Sequence, residues 1–228
     1  MATVLASLKE TMKDIVFGSE DGLISNLGLV LGVAASGAPN EVVLLAGVAS
    51  MFAGAVSMAA GDYLSTKSQK EVFEEQITEE EKKISSEKAE CKIVKQLYKS
   101  AKFSEKEIKH FVKHLNTHKT LFLKILAEEK LGLVPEKYEN PVKGALTLFL
   151  AYMAGSFFPV FPFIFENTSA ASIVALIGTA AVLFAVGAAK TRITKRNWAK
   201  SGFEMLVVAL AAAAAGYVIG LLFGVGIL

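Results

Sequence analysis

Two residues set the chemical question. Asp21 is a carboxylate in the first apolar stretch, Ile15 to Gly37, with Glu20 beside it and Asp14 seven positions earlier. Met58 is a thioether in the second apolar stretch, Val42 to Gly61, which carries no charge in 20 positions. An ionisable group inside a bilayer costs roughly 2.5–3.5 kcal/mol on insertion scales and therefore marks an ion or proton path. A thioether sulfur is a ligand for the softer transition metals. The structural readings compete with these. A span that began at Leu23 would leave Glu20 and Asp21 among the headgroups, and Met51 and Met58, seven apart on one face, would serve as packing. Leu23 to Gly37 is only 15 residues, short of the ~20 a helix needs to cross. Asp21 is therefore read as intramembrane. Glu20 fits either position, and Met58 gains weight as a ligand only if it faces Asp21.

Further donors lie in a charged segment. Glu71, Glu74, Glu75, Glu79, Glu80, Glu81, Glu87 and Glu90 follow the second apolar stretch. Carboxylates three or four apart share a helix face, so Glu71/Glu75/Glu79 and Glu87/Glu90 can chelate a cation. On spacing alone a solvated face explains them better. His110, His114 and His118 fall within nine residues. An i, i+4 histidine pair can hold a transition metal, but no cysteine or carboxylate evidently completes that site.

The elements that position these groups follow from the apolar runs. Besides Val42 to Gly61, the runs Gly144 to Phe165, Ala170 to Ala189 and Met205 to Leu228 have no charge in 22, 20 and 24 positions. Together with Ile15 to Gly37 they make five spanning helices, and residues 1–14 form a short amphipathic lead-in. The fold class is an all-α membrane protein. Residues 1–64 hold transmembrane helices 1 and 2, residues 65–140 a cytosolic cap of three helices, and residues 141–228 transmembrane helices 3 to 5. The cap helices are Lys67 to Tyr98, Glu105 to Leu115, and one from Thr117 to Lys130. Ser104 with Glu107 makes a capping box for the second, which buries Ile108, Phe111, Val112 and Leu115. Pro159 and Pro162 break or kink the third span, which is tolerated where the backbone lines a cavity or packs on protein. Small residues along the second span, Gly47, Gly54, Ala55 and Gly61 among them, admit a close helix neighbour.

Charge is uneven. Residues 62–143 hold 17 Lys against 15 acids, whereas the net charge of the chain is +2. The loop Lys190 to Lys200 carries five basic residues, no acid and Trp198, and the loops 36–41 and 166–169 carry no Lys or Arg. The Lys/Arg bias puts the N-terminus and the cap in the cytosol and the C-terminus outside or in a lumen. The single cysteine, Cys91, excludes an intrachain disulfide. A short chain without a targeting peptide suits a prokaryotic plasma membrane.

Asp21-Gly22, the run Gly54-Ala55-Val56-Ser57-Met58-Ala59-Ala60-Gly61-Asp62-Tyr63-Leu64-Ser65-Thr66-Lys67-Ser68-Gln69, and Pro159 with Pro162 together resemble the vacuolar iron transporter family. The five-span layout with a cap after the second span resembles it too. The resemblance implies a homodimer that exports Fe²⁺, and often Mn²⁺, from the cytosol by proton antiport. It implies that Asp21 and Met58 bind metal in the membrane. In the cap it implies metal ligation by glutamates of the first and last helices, here Glu80, Glu87, Glu90, Glu128 and Glu129. The chain departs from the pattern at Ser50, where the family commonly has a glutamate, and at Leu126, Ala127 and Lys130 in the last cap helix.

No nucleophile–base pair, phosphate-binding glycine loop or complete hydrolase metal motif is present in the sequence, so an enzyme is not expected. No resident cofactor is expected beyond the Fe²⁺ or Mn²⁺ carried or bound. Partners are divalent metal ions, the lipid bilayer and a second copy of the chain, with no nucleic acid. The alternative is a membrane-anchored metal-binding or sensing protein that has lost transport, a reading motivated by Ser50 and the thinner cap site.

Overall fold

The computed structural model describes residues 2–83, 104–116, 140–165 and 167–224. Among these residues the structure is helical, with no strand. The helices are α1 (Ala2–Ala35), α2 (Asn40–Lys83), α3 (Glu105–Asn116), α4 (Pro141–Val160), α5 (Thr168–Thr194) and α6 (Trp198–Gly224), with a 3₁₀ turn at Phe161–Ile164. Five of them are long and apolar enough to cross a membrane, over Thr11–Ala35, Asn40–Glu79, Pro141–Ile164, Thr168–Thr191 and Trp198–Gly224. The chain divides into two compact units, Met1–Tyr63 with Val142–Leu228, and Leu64–Pro141.

Two boundaries differ from the sequence expectation, and one continuous helix follows it. The lead-in is not a separate element, since α1 runs unbroken from Ala2. With no Pro and only Gly18 and Gly22 before Leu23, nothing in it stops a helix. The second apolar run and the charged segment form one helix at least as far as Lys83, as the absence of breakers predicts. The basic segment 190–200 is mostly not a loop, because α5 continues to Thr194. There Lys195 turns left-handed (φ 53°) and its N–H bonds Thr191 O at 2.8 Å, and Asn197 Oδ1 caps α6 by accepting from Ala199 N and Lys200 N. The α1–α2 turn uses Gly37 at φ 82°, a conformation glycine reaches without the Cβ penalty.

The membrane unit buries an apolar core that includes Leu23, Leu27, Val43, Phe163 and Leu183, and among these sit small or polar residues: Asn26, Ser156, Thr179, Ser201, Ala171, Ala175, Ala209 and Ala213. Large apolar side chains such as Phe157, Ile173, Val207, Leu210 and Ile219 are exposed. In water such a surface would be far beyond the few hundred Å² that monomers tolerate; against lipid it is the stable arrangement. Lipid tails supply no hydrophobic drive between helices, so close packing must hold them together.

The closest packing is between α1 and α6. Gly28, Gly32 and Ser36 on α1 face Ala212, Gly216, Gly220 and Gly224 on α6, all at four-residue steps. A Cβ on Gly32 would stand 2.7 Å from Gly216 O, and one on Gly224 would stand 2.7 Å from Ser36 O. A groove of about 440 Å³ runs beside this seam, bordered by Leu29, Val33, Ile219 and Phe223. A second core layer joins Leu23, Leu183, Met205 and Ala209 from α1, α5 and α6.

The proline-broken backbone packs against protein. Pro159, Val160, Pro162 and Phe163 are all buried, and the helix tightens to 3₁₀ across Pro162. Asn40, opening α2, donates through Nδ2 to Phe163 O at 2.7 Å, which satisfies a carbonyl that no α-helical partner takes. Asn167 Oδ1 then accepts from Ala170 N and starts α5.

The second unit is described over part of its length. Ser104 and Glu107 form the expected capping box: Ser104 N donates to Glu107 Oε2 at 2.8 Å, and Glu107 N donates to Ser104 Oγ at 3.4 Å. The Ser104 hydroxyl and amide bonds hold the Glu107 carboxyl below its usual value. Ile108 and Val112 are buried. The expected helix from Thr117 to Lys130 and the stretch from Ile84 to Tyr98 lie outside the described residues.

One buried group predicts its own replacement. Thr179 on α5 is fully buried and its hydroxyl has no hydrogen-bond partner among the described residues. An unmet buried hydroxyl costs ~1–3 kcal/mol, and valine has the same shape. Thr179→Val is expected to raise the melting temperature of the detergent-solubilised protein by a few degrees; an unchanged or lower value would show the hydroxyl to be satisfied.

Candidate metal pathway

Asp21 lies on α1 within the apolar window Thr11–Ala35, and α1 is already helical well before Leu23. Its residue is half-buried, as is Met58 on α2. Glu20, one residue away and about 100° round the helix, points elsewhere: its Oε1 lies 4.0 Å from Lys190 Nζ on α5. Glu20 thus ties α1 to α5.

The turn after Asp21 is built into a polar junction with α4. Gly22 and Gly18 let α4 approach, since a Cβ on Gly22 would stand 2.9 Å from Ser156 N and one on Gly18 would stand 3.1 Å from Leu148 O. Into this contact Asn26 projects, fully buried. Its Nδ2 bonds Ser156 Oγ at 2.8 Å, Gly22 O at 3.2 Å and Tyr152 OH at 3.3 Å, while its Oδ1 has no partner among the described residues. Tyr152 OH also lies 3.1 Å from Ser25 Oγ, and Ser25 Oγ donates to the backbone carbonyl of Asp21.

The same tyrosine touches α2. A Cβ on Gly54 would fall 2.5 Å from Tyr152 Cζ and 2.7 Å from Cε1, and closer still to the hydroxyl. Gly54 and Met58 are one turn apart on one face of α2. The turn that follows Asp21 and the turn that precedes Met58 therefore converge on one side chain.

Two further acids approach one point of α4 from the same helices. Asp14 of α1 and Asp62 of α2 both approach Gly144 in the first turns of α4, with Oδ2 atoms 3.9 and 2.7 Å from where its Cβ would stand. Asp14 precedes Asp21 by two turns, and Asp62 follows Met58 by one. Ser50, two turns before Met58, is half-buried on α2.

The expected cap ligands are less defined. Glu80 lies in α2, its side chain outside the described residues. Glu87, Glu90, Glu128 and Glu129 lie outside the described residues, as does His118. His110 is exposed on α3, which also carries His114. Among the described residues no three of His, Cys, Asp and Glu form a cluster.

Sequence reasoning missed Asn26, Tyr152 and Ser156, and it passed over Asp62 as a donor. The signal was present: Tyr152 and Ser156 are polar residues at i, i+4 in an apolar run, and Asn26 lies one turn past Asp21 in another. Polar side chains inside a span face protein and find partners there.

The comparisons with known proteins follow this geometry. The VIT family profile matches residues 12–221, from the turn before Asp14 almost to the end of α6. The chain is 29% identical over 210 residues to "Vacuolar iron transporter 2" of Oryza sativa subsp. japonica, covering 91% of this chain and 85% of that one. It is 28% identical to "Vacuolar iron transporter 1" of Arabidopsis thaliana, covering 91% and 84%. It is 30% identical to "Vacuolar iron transporter" of Plasmodium berghei (strain Anka), over 83% of this chain and 73% of that one. A match that spans all five apolar helices, Asp21 and Met58 included, means that this chain belongs to the VIT family.

Proposed function

We propose that this protein is a divalent-metal transporter that exports Fe²⁺, and Mn²⁺ as a second substrate, from the cytosol by proton antiport. The observation that carries the reading is Asp21, a half-buried carboxylate in the middle of an apolar helix, whose following turn shares Tyr152 with the turn before Met58. Membership of a family whose named members are vacuolar iron transporters supports the substrate.

The chemistry follows from the donor types. A carboxylate oxygen and a thioether sulfur together suit a cation of intermediate softness such as Fe²⁺. One carboxylate and one thioether are few ligands for such an ion, and a second copy of the chain supplies the rest in a homodimer. Asp21 must lose its proton to bind metal. Metal and proton therefore compete for one group: metal loads from the less acidic side, and protonation from the more acidic side displaces it. The Lys/Arg bias supports the direction, since basic-rich segments such as Lys190–Lys200 favour the cytosolic side. The charged segment beyond Leu64, with Glu80, Glu87, Glu90, Glu128 and Glu129, gathers the ion before entry.

Flux in proteoliposomes tests this. Purified protein is reconstituted with a metal-sensitive dye inside, and Fe²⁺, Mn²⁺, Co²⁺ and Zn²⁺ are offered with and without an inward-acidic pH gradient. Fe²⁺ entry that collapses when the gradient is dissipated is the expected result. Metal binding without flux would move the assignment to the sensing protein.

A further inference from the structure

Tyr152 reaches two helices at once. On α1 its hydroxyl lies 3.1 Å from Ser25 Oγ and 3.3 Å from Asn26 Nδ2. On α2 the hydroxyl and ring edge occupy the space a Cβ on Gly54 would take. The first contact is one turn past Asp21 and the second one turn before Met58. Because α1 and α2 are joined by the short turn at 36–39 and run in opposite directions, both contacts lie on the same side of the Asp21–Met58 level. The ring is only 4% exposed, so it cannot swing aside to relieve either contact.

Proton counting fixes the direction of the bonds. Ser25 has one hydroxyl proton, and it goes to Asp21 O; between Ser25 and Tyr152 the phenol therefore donates. The Tyr152 oxygen in turn accepts from Asn26, whose two amide protons are shared among Ser156 Oγ, Gly22 O and, at the longest distance, Tyr152. The chain runs one way, Asn26 to Tyr152 to Ser25 to the Asp21 carbonyl, and ends on the backbone of the residue that carries the carboxylate.

We propose that Tyr152 is a positioning residue for the Asp21–Met58 pair: a spacer that sets how far the Asp21 helix stands from the Met58 helix and fixes the rotation of the Asp21 turn. Its consequence is cation selectivity. Cations differ in the ligand distance they prefer, roughly 2.0–2.1 Å for Mg²⁺ against 2.3–2.6 Å for Ca²⁺, so a fixed separation of the two helices favours one ion over another. The inference rests on Asp21 and Met58 being the metal ligands, and the experiment separates the two claims.

Wild type, Tyr152→Phe, Gly54→Ala and Asp21→Asn are reconstituted as full chains, and initial rates are taken over a range of Fe²⁺ and Zn²⁺ concentrations. Tyr152→Phe keeps the ring and removes the bonds to α1; Gly54→Ala presses on the same hydroxyl from α2. Both are expected to raise the KM for Fe²⁺ about tenfold with Vmax within about twofold, and to shift the Fe²⁺/Zn²⁺ preference, since misplacing a bound group by ~1 Å costs up to ~100-fold. Melting temperatures are measured alongside. If Asp21→Asn transports at the wild-type rate, the ligand assignment itself falls. If Asp21→Asn is inactive while Tyr152→Phe and Gly54→Ala keep the wild-type KM and ion preference, the spacer role is overturned and the ligand assignment stands. A lower melting temperature with unchanged KM also overturns it, since that is what a purely structural tyrosine would give. Should Tyr152→Phe fail to fold, Gly54→Ala decides by the same criteria.

Discussion

Proteoliposomes carrying Asp21→Asn are expected to take up no measurable Fe²⁺, a loss of at least ~100-fold against wild type. The substitution preserves size and removes only the charge. In the middle of an apolar helix that charge is costly, and in the proposed mechanism a cargo cation offsets the cost. Asparagine offers one neutral oxygen where the carboxylate offered a full negative charge, so the divalent ion meets an uncompensated desolvation penalty. The same variant separates binding from coupling. Wild-type uptake should rise as the loading side is made less acidic, because the carboxylate must be deprotonated to take the metal, whereas any residual uptake by Asp21→Asn should be flat with pH on that account. Dye-reported uptake at the wild-type rate, with the wild-type pH profile, would sink the proposed mechanism. The backbone of Asp21 is held by Ser25 and the turn by Asn26, so the variant should fold, and its melting temperature in detergent should stay close to wild type.

The second large effect is on assembly. Gly220→Val is expected to lower stability by more than ~3 kcal/mol, at the upper end for overpacked sites. A Cβ at 220 would sit 2.7 Å from the carbonyl carbon of Gly32 and 2.9 Å from its Cα, with the Gly32 oxygen nearer still. These are backbone atoms of a neighbouring helix and cannot rotate away, so α1 and α6 must separate and the contacts along the whole seam are lost with them. A control sits on α5. Gly178 has open space around it, with nothing within 4 Å of its Cβ position, and Gly178→Ala should gain up to ~1 kcal/mol from helix propensity alone. Melting in detergent reads both. Equal melting temperatures for the two variants would mean that the seam is not what holds α1 to α6.

Much of this architecture could be read from the chain because its signals are local. Runs of 20 or more uncharged residues report a span directly, since length is set by the bilayer. The Ser104–Glu107 box was legible because both partners lie within one turn. Asp21 was legible because a carboxylate among apolar residues is costly wherever the fold places it. The Tyr152 junction was not, because its partners lie 126 to 130 positions apart and nothing in either run names the other. Pro159 and Pro162 announced a break, but only the structure shows Asn40 supplying a missing bond from another helix. The end of α5 was misplaced because basic residues read equally as loop or as a final helical turn.

The glycine seam has a consequence for how the chain is made. It joins the first and last described helices, Gly28 and Gly32 to Gly216 and Gly220, so its halves leave the ribosome some 190 residues apart. While α2 to α5 are being inserted, α1 holds a furrow of bare backbone with no partner, and lipid tails must fill it. Synthesis is therefore not complete in any structural sense until α6 docks. A chain halted before residue 216 presents to the quality-control machinery a notched helix that a finished chain hides.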